Sequence, residues 1–265
     1  SQLTLSGNQV KDYTIMGIVV YGTNNLVDPI VTTTGNTLIP AVGKNAEGIQ
    51  YRFINGSADY AGTIDNNTIN AGGVIPISAV DSDHILIQKN KVLGSGNVGI
   101  VIEATSYTTN HCTVIENTIS NCGGNYSGIQ VAGADHTISG NTLSNVPWGI
   151  NLVSASGCTV QDNAISNFTG NGITVKGTNN KVLGNIISDT GTASNGIAVI
   201  PVSASSPSSG NEIKSNTISG IHSGNTSSLG NCGWGIGLEN YQGTVTNTTV
   251  EGNTVTGSDA GVVFF

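Results

Sequence analysis

A chain of 265 residues can bury a sizeable core, but only 9% of this one is charged and 37 residues are glycine, a composition suited to short strands and turns. Its 8 Lys plus Arg against 16 Asp plus Glu give a net charge of −8, with Arg52 as the single arginine. That excludes the basic patch a nucleic-acid binder needs, and no apolar run is long enough to span a bilayer.

Taken in chain order, ten short units follow one another. Unit one, 3–22, begins at once with LTLSGNQV and reaches Gly17-Ile18. Unit two, 26–59, carries an insertion near 39–47 and ends in YRFING, where alternation turns Tyr51 inward and Arg52 outward. Unit three, 60–83, holds TIDNNTINAGG, with Gly73-Val74 as its Gly-apolar step. Unit four, 84–110, closes on a turn from Thr105 to Asn110. Units five and six, 111–135 and 136–157, are close copies of each other. Units seven and eight are the most regular, and eight then throws out a loop at 201–210. Unit nine has a long turn at 220–233, and unit ten ends on Phe264 and Phe265.

Aligned on one Asn each, the units give the column Asn8, Asn36, Asn67, Asn90, Asn117, Asn141, Asn163, Asn185, Asn216 and Asn253. The spacings run from 22 to 37 residues. An apolar residue sits two positions after each Asn, and a Gly-apolar step follows it. Period-two strands at a 22–37 repeat predict a parallel β-solenoid over residues 1–265, a single all-β domain of about ten coils. At roughly 4.8 Å per coil the rod is roughly 48 Å long. The Asn column, above all Asn90, Asn117, Asn141, Asn163, Asn185 and Asn216, is expected to be structural. Each amide can bond the coils on either side, and Asn tolerates a left-handed corner. Both ends start or stop directly in a repeat, so the solenoid is expected to be uncapped and to be a mature chain after signal removal.

Candidate chemistry is sparse. Four residues after each Gly the column reads Tyr21, Arg52, Ile77, Glu103, Ala132, Val153, Lys176, Ile200, Glu239, Phe265. Glu103 and Glu239 stand about 24 Å apart along the stack, too far for a carboxylate pair. Asp81, Asp83 and His84, with Asn110-His111 and Asp135-His136, read as turn formers. Cys112, His136 and Cys158 share a column, but a straight row without a fourth ligand is no zinc site. No metal and no cofactor are expected. Cys122 and Cys232 fall in turns and are candidates for bonds between chains. Outward Thr residues such as Thr118, Thr142 and Thr217 make a nearly uncharged face.

The pieces Asn117-Thr118-Ile119-Ser120, Asn216-Thr217-Ile218-Ser219 and Gly128-Ile129-Gln130-Val131 resemble the right-handed parallel β-helix repeats of the pectin-lyase-like superfamily. The resemblance implies a right-handed coil. It leaves activity open, because that superfamily spans lyases, hydrolases, epimerases, tailspikes and cell-surface proteins, and none of the enzymes' motifs is present here. Two readings follow. The favoured one is an extracellular structural solenoid that associates with other copies of itself, end to end or laterally, into a surface layer, sheath or filament. The alternative is a β-helix that binds or degrades polysaccharide, with Glu103, Asp135 and Glu239 as its acidic residues.

Overall fold

The computed structural model describes residues 2–22, 30–44, 46–56, 60–70, 74–189, 191–223, 233–240 and 243–265. Three parallel sheets run the length of the molecule, and the chain visits them in rotation. The first sheet takes ten strands from Gln2–Ser6 to Thr249–Glu251. The second takes ten from Gln9–Tyr13 to Thr254–Thr256, and the third starts at Met16–Tyr21 and ends at Ala260–Phe264. One strand from each sheet makes a coil, so the chain is a right-handed parallel β-helix of ten coils. Two short strands, Ser208–Ser209 and Val245–Thr246, extend the third sheet beside the 201–210 loop.

The core is a set of aligned aliphatic columns. In the third sheet Ile49, Ile77, Ile100, Ile129, Ile150, Ile173, Ile197 and Ile236 are register partners, each no more than 1% exposed. In the second sheet Val92, Ile119, Leu143, Ile165 and Ile187 do the same. β-Branched side chains suit this pleated stacking, and each buried aliphatic contributes about 1.5–3 kcal/mol. Coil three departs from the sequence reading. Gly48 lies against the carbonyl of Pro76, and Ile77 is the inward residue, so the Gly-apolar step read at Gly73-Val74 is three residues too early. The outward partner of Arg52 and Glu103 is therefore Val80, not Ile77.

Between the first and second sheets the Asn column forms a continuous ladder. The Nδ2 group of Asn141 donates to Oδ1 of Asn163 at 2.9 Å, to the carbonyl of Val114 at 2.9 Å and to the carbonyl of Ser139 at 3.1 Å. Its Oδ1 accepts from N and Nδ2 of Asn117 at 2.9 and 3.0 Å. Asn90, Asn117, Asn163, Asn185 and Asn216 repeat the pattern. The left-handed turn falls one residue earlier than the sequence suggests, at Lys89 (φ 54°), Glu116 (φ 57°), Asp162 (φ 54°) and Ser215 (φ 57°). The Asn itself is needed for its amide and not for its backbone freedom.

Cys122 corrects another expectation. It closes the strand Thr118–Cys122, is 7% exposed and packs in the core, and burial pushes its thiol up to about 12. A sulfur in that place offers no face to a second chain. Cys232 lies outside the described residues. Cys112 and Cys158 are fully buried, and both thiols are also raised by burial, to about 12 and about 11.

Asn141→Ala removes five hydrogen bonds from a site with no solvent access. It should cost about 2–4 kcal/mol, because the deserted carbonyls and N–H stay buried. Asn145→Gly, whose amide bonds are exposed and whose left-handed backbone (φ 54°) glycine keeps without strain, should cost under about 0.5 kcal/mol. Urea unfolding of the two variants checks the contrast.

Candidate functional site

Coil four makes its longest excursion where the third sheet ends. The segment 104–110 leaves Glu103 at the end of Ile100–Glu103 and lines an open hollow of about 580 Å³ with Gly133. Asp81 holds this loop in shape. Its carboxylate is fully buried and accepts from N of Thr105 (2.7 Å), Oγ1 of Thr105 (2.6 Å), N of Ser106 (2.8 Å) and N of Tyr107 (3.0 Å). Burial alone would push that carboxyl up, but the bonds from Ser106, Thr105 and Tyr107 outweigh it and hold it at about 2. Arg52 stands 3.8 Å from the same carboxylate and reaches Oγ1 of Thr105 at 3.4 Å.

Aromatic rings run from this loop toward the first coil. Phe53 meets Tyr107 edge-on at 5.6 Å and Tyr21 edge-on at 5.1 Å, and the Arg52 guanidinium lies 5.1 Å from the centre of the Phe53 ring. Tyr21 and Tyr107 are 64% and 51% exposed. Glu103 closes the strand that leads into the loop, and Glu47 opens the strand Glu47–Arg52, where Nε2 of Gln50 donates to its Oε2 at 2.8 Å. Burial raises the Glu47 carboxyl first and the charge of Glu103 adds to that, while Arg52 works against both.

At the corner that leads into the first sheet, a second constellation stacks coil on coil. His84 and His111 lie ring on ring, 4.7 Å apart at 17°. Asp83 stands against both, 3.6 Å from Nδ1 of His84 and 3.9 Å from Nδ1 of His111. Asp135 faces the other nitrogen of His111, with 3.8 Å between Oδ2 and Nε2. The sequence alone reads these residues as turn formers. They do turn the chain, with φ near 55° at His84, 54° at His111 and 57° at Asp135, but they also converge. A signal was present: each sits six residues before its ladder Asn (Asn90, Asn117, Asn141), so the three share one column.

The three acidic residues of the alternative reading do not meet. Glu103 ends the third sheet's strand in coil four, and Asp135 belongs to the His corner in coil six. Glu239, 6% exposed, lies in coil nine, where Nδ2 of Asn195 donates to its Oε1 at 3.1 Å and to Oδ1 of Asn171 at 2.9 Å. In the sequence Tyr21 appears only at the head of the column that holds Arg52 and Glu103, and nothing there marks Phe53 or Tyr107 as its ring partners.

The family described as "Right handed beta helix region" matches residues 106–233, just under half of the chain. No curated protein matches the sequence. Solved structures share the fold. A variant of DFA-IIIase from Arthrobacter chlorophenolicus in complex with DFA-III aligns with a TM-score of 0.63 at 14% identity, over 94% of this chain and 60% of that one. PfbA, a surface adhesin of Streptococcus pneumoniae, gives 0.58 at 12% identity over 97% and 78%. The Dettilon tailspike protein gives 0.57 at 14% identity over 94% and 59%.

Beneath the His corner, His136 replaces the amide of a second ladder. Asn180 accepts from N of Cys158 at 3.0 Å and donates to Asn211 at 3.2 Å. In the same role, Nδ1 of His136 accepts from N of Cys112 at 3.1 Å, which leaves Nε2 to donate to the carbonyl of Ala132 at 3.2 Å. Only the neutral ring fits, since a proton on Nδ1 would face the Cys112 N–H. Burial lowers this imidazole to about 4, against the carbonyls of Ala132 and Thr109. The unfolded chain therefore takes up the proton first as pH falls. Stability from this residue is complete above about 6.5 and is lost as pH drops from there toward 4. His136→Asn, the residue used at Asn180 and Asn211, should flatten the fall in melting temperature between pH 6.5 and 4. An unchanged slope would assign that pH dependence elsewhere.

Proposed function

We propose that this chain is a carbohydrate-binding β-helix working outside the cell or at its surface, with the Tyr21–Phe53–Tyr107 row and the adjoining hollow as its sugar site. The observation behind the reading is the row itself: exposed aromatic rings beside an open hollow on a rigid sheet end. Aromatic faces take the apolar face of a sugar ring, and a few fixed polar groups read its hydroxyls. Here Arg52 and Glu103 supply those groups. The Glu103 carboxylate and a net charge of −8 favour neutral glycans over polyanions. The fold neighbours named for acting on DFA-III or for surface adhesion support the setting. No helix among the described residues is long and apolar enough to cross a membrane.

Affinity electrophoresis and calorimetry against neutral and acidic polysaccharides test the reading. Phe53→Ala and Tyr107→Ala should each weaken binding to a neutral glycan about tenfold, or about 1.4 kcal/mol, with melting temperature within a few degrees of the parent. Retention by polyanions alone, or binding indifferent to both variants, would remove the site from the proposal.

A second reading, lateral association of copies, is supported by the outward face of the second sheet. Thr118, Thr142, Ala164, Ile186 and Thr217 are register neighbours, an uncharged stretch that begins next to Lys91 in the same column, and Ile186 is 59% exposed. Exposed apolar surface on a flat sheet is an association face. On this reading sedimentation velocity should show species larger than 26.9 kDa, and Ile186→Asp should return them to monomer. A monomer at every concentration would end it.

A further inference from the structure

We propose that Asp83, His84 and His111 form a binding site for a divalent transition-metal ion, with Asp135 as the residue that positions His111. The donor set suits such an ion. One carboxylate oxygen and two ring nitrogens lie within 4.8 Å of one another. Donors around a tetrahedral zinc, at about 2.0–2.1 Å from the ion, stand about 3.4 Å apart. Oδ2 of Asp83 stands 3.6 Å from Nδ1 of His84, close to that separation, and Nδ1 of His111 lies 3.9 Å from the other oxygen of the same carboxylate.

One of these ring nitrogens has no hydrogen-bond partner. Nδ1 of His84 is shut off from solvent and takes no hydrogen bond, although it points toward the Asp83 carboxylate. A buried ring nitrogen without a partner costs free energy unless something coordinates it. A second carboxylate lies behind His111. Metal-bound imidazoles commonly pair their second nitrogen with a carboxylate that fixes the ring. Asp135 stands 3.8 Å from Nε2 of His111 while Asp83 faces Nδ1.

The frame is rigid where it needs to be. The three corners are tied coil to coil by backbone bonds, from N of His84 to the carbonyl of Asn110, from N of His111 to that of Ala134 and from N of Asp135 to that of Ser156. Asp83 is anchored through Oδ1 by N of Asn110 at 2.6 Å, which leaves Oδ2 for an ion. The stacked rings must turn about χ2 to bring both Nδ1 lone pairs to a common point. His111, half exposed, has room to do so. Three protein donors leave coordination positions for water or a ligand, and imidazole donors select zinc, nickel or copper over calcium.

Calorimetric titration of the full chain with zinc, nickel and calcium salts, after treatment with chelator, tests the assignment. One equivalent of zinc or nickel should bind and calcium should not. The control substitutions are His84→Asn and His111→Asn, because the same left-handed corner already holds Asn179 and Asn247, at φ 56° and 50°. Each should weaken zinc at least tenfold while the metal-free melting curve stays in place. Asp135→Asn should weaken zinc less than either, since it removes only the carboxylate that orients the ring. Absence of a stoichiometric zinc event, or zinc affinity in both His variants equal to the parent's, overturns the site. Glycan binding by the parent in chelator separates this outcome from the fate of the carbohydrate reading.

Discussion

The structure depends on a buried amide. Where the chain passes from the first sheet to the second, strand pairing is interrupted and backbone carbonyls turn inward, away from water. Each ladder Asn bonds two such carbonyls, one in its own coil and one in the coil before it, and passes its third contact to the next Asn. Charge could not do this work, because ten stacked carboxylates or ammonium groups would repel along the column. An amide is both donor and acceptor, so the column can be extended without limit. The coil-to-coil step is fixed at this corner, and the aliphatic columns fall into line because of it.

That constraint explains where variation is allowed. Between the first and second sheets almost nothing is inserted, and the turn is one left-handed residue and one Asn. After the third sheet the chain is free to leave, and it does so at 104–110 and 201–210. The candidate site lies there for the same reason. A loop with its own fixed shape needs its amides satisfied, and in coil four a single buried carboxylate, Asp81, satisfies three of them with one side chain. The polar and aromatic groups around the hollow are then displayed on a frame that has little freedom left to lose on binding, which favours recognition over adaptation.

The columns were legible in the sequence because they are periodic. Asn at 22–37 residues, apolar at plus two and Gly before Ile repeat often enough to survive loop insertions. Coil three was misregistered where periodicity met a decoy. Gly73-Val74 has the right letters, but Pro76-Ile77 occupies the place. Cys122 looked like a turn residue because Gly123 and Gly124 follow it, while the strand in fact runs through it into the core. The aromatic row could not be read at all, since the lean of a side chain across two coil steps has no signature in sequence.

The His corner is the instructive intermediate case. His84, His111 and Asp135 are six residues upstream of consecutive ladder amides, so their alignment is written in the spacing. What the spacing does not contain is the direction of Asp83, one residue off the column, which turns a row of turn formers into a convergent set. In a solenoid a column places like positions about 4.8 Å apart, too wide for one ion to bridge neatly along the axis. A residue adjacent to the column closes the gap, because its side chain reaches across the step that the backbone cannot shorten. The same geometry explains why Glu103 and Glu239 never meet although they share a column. Columns separate chemistry along the axis, and only residues that leave them bring chemistry together.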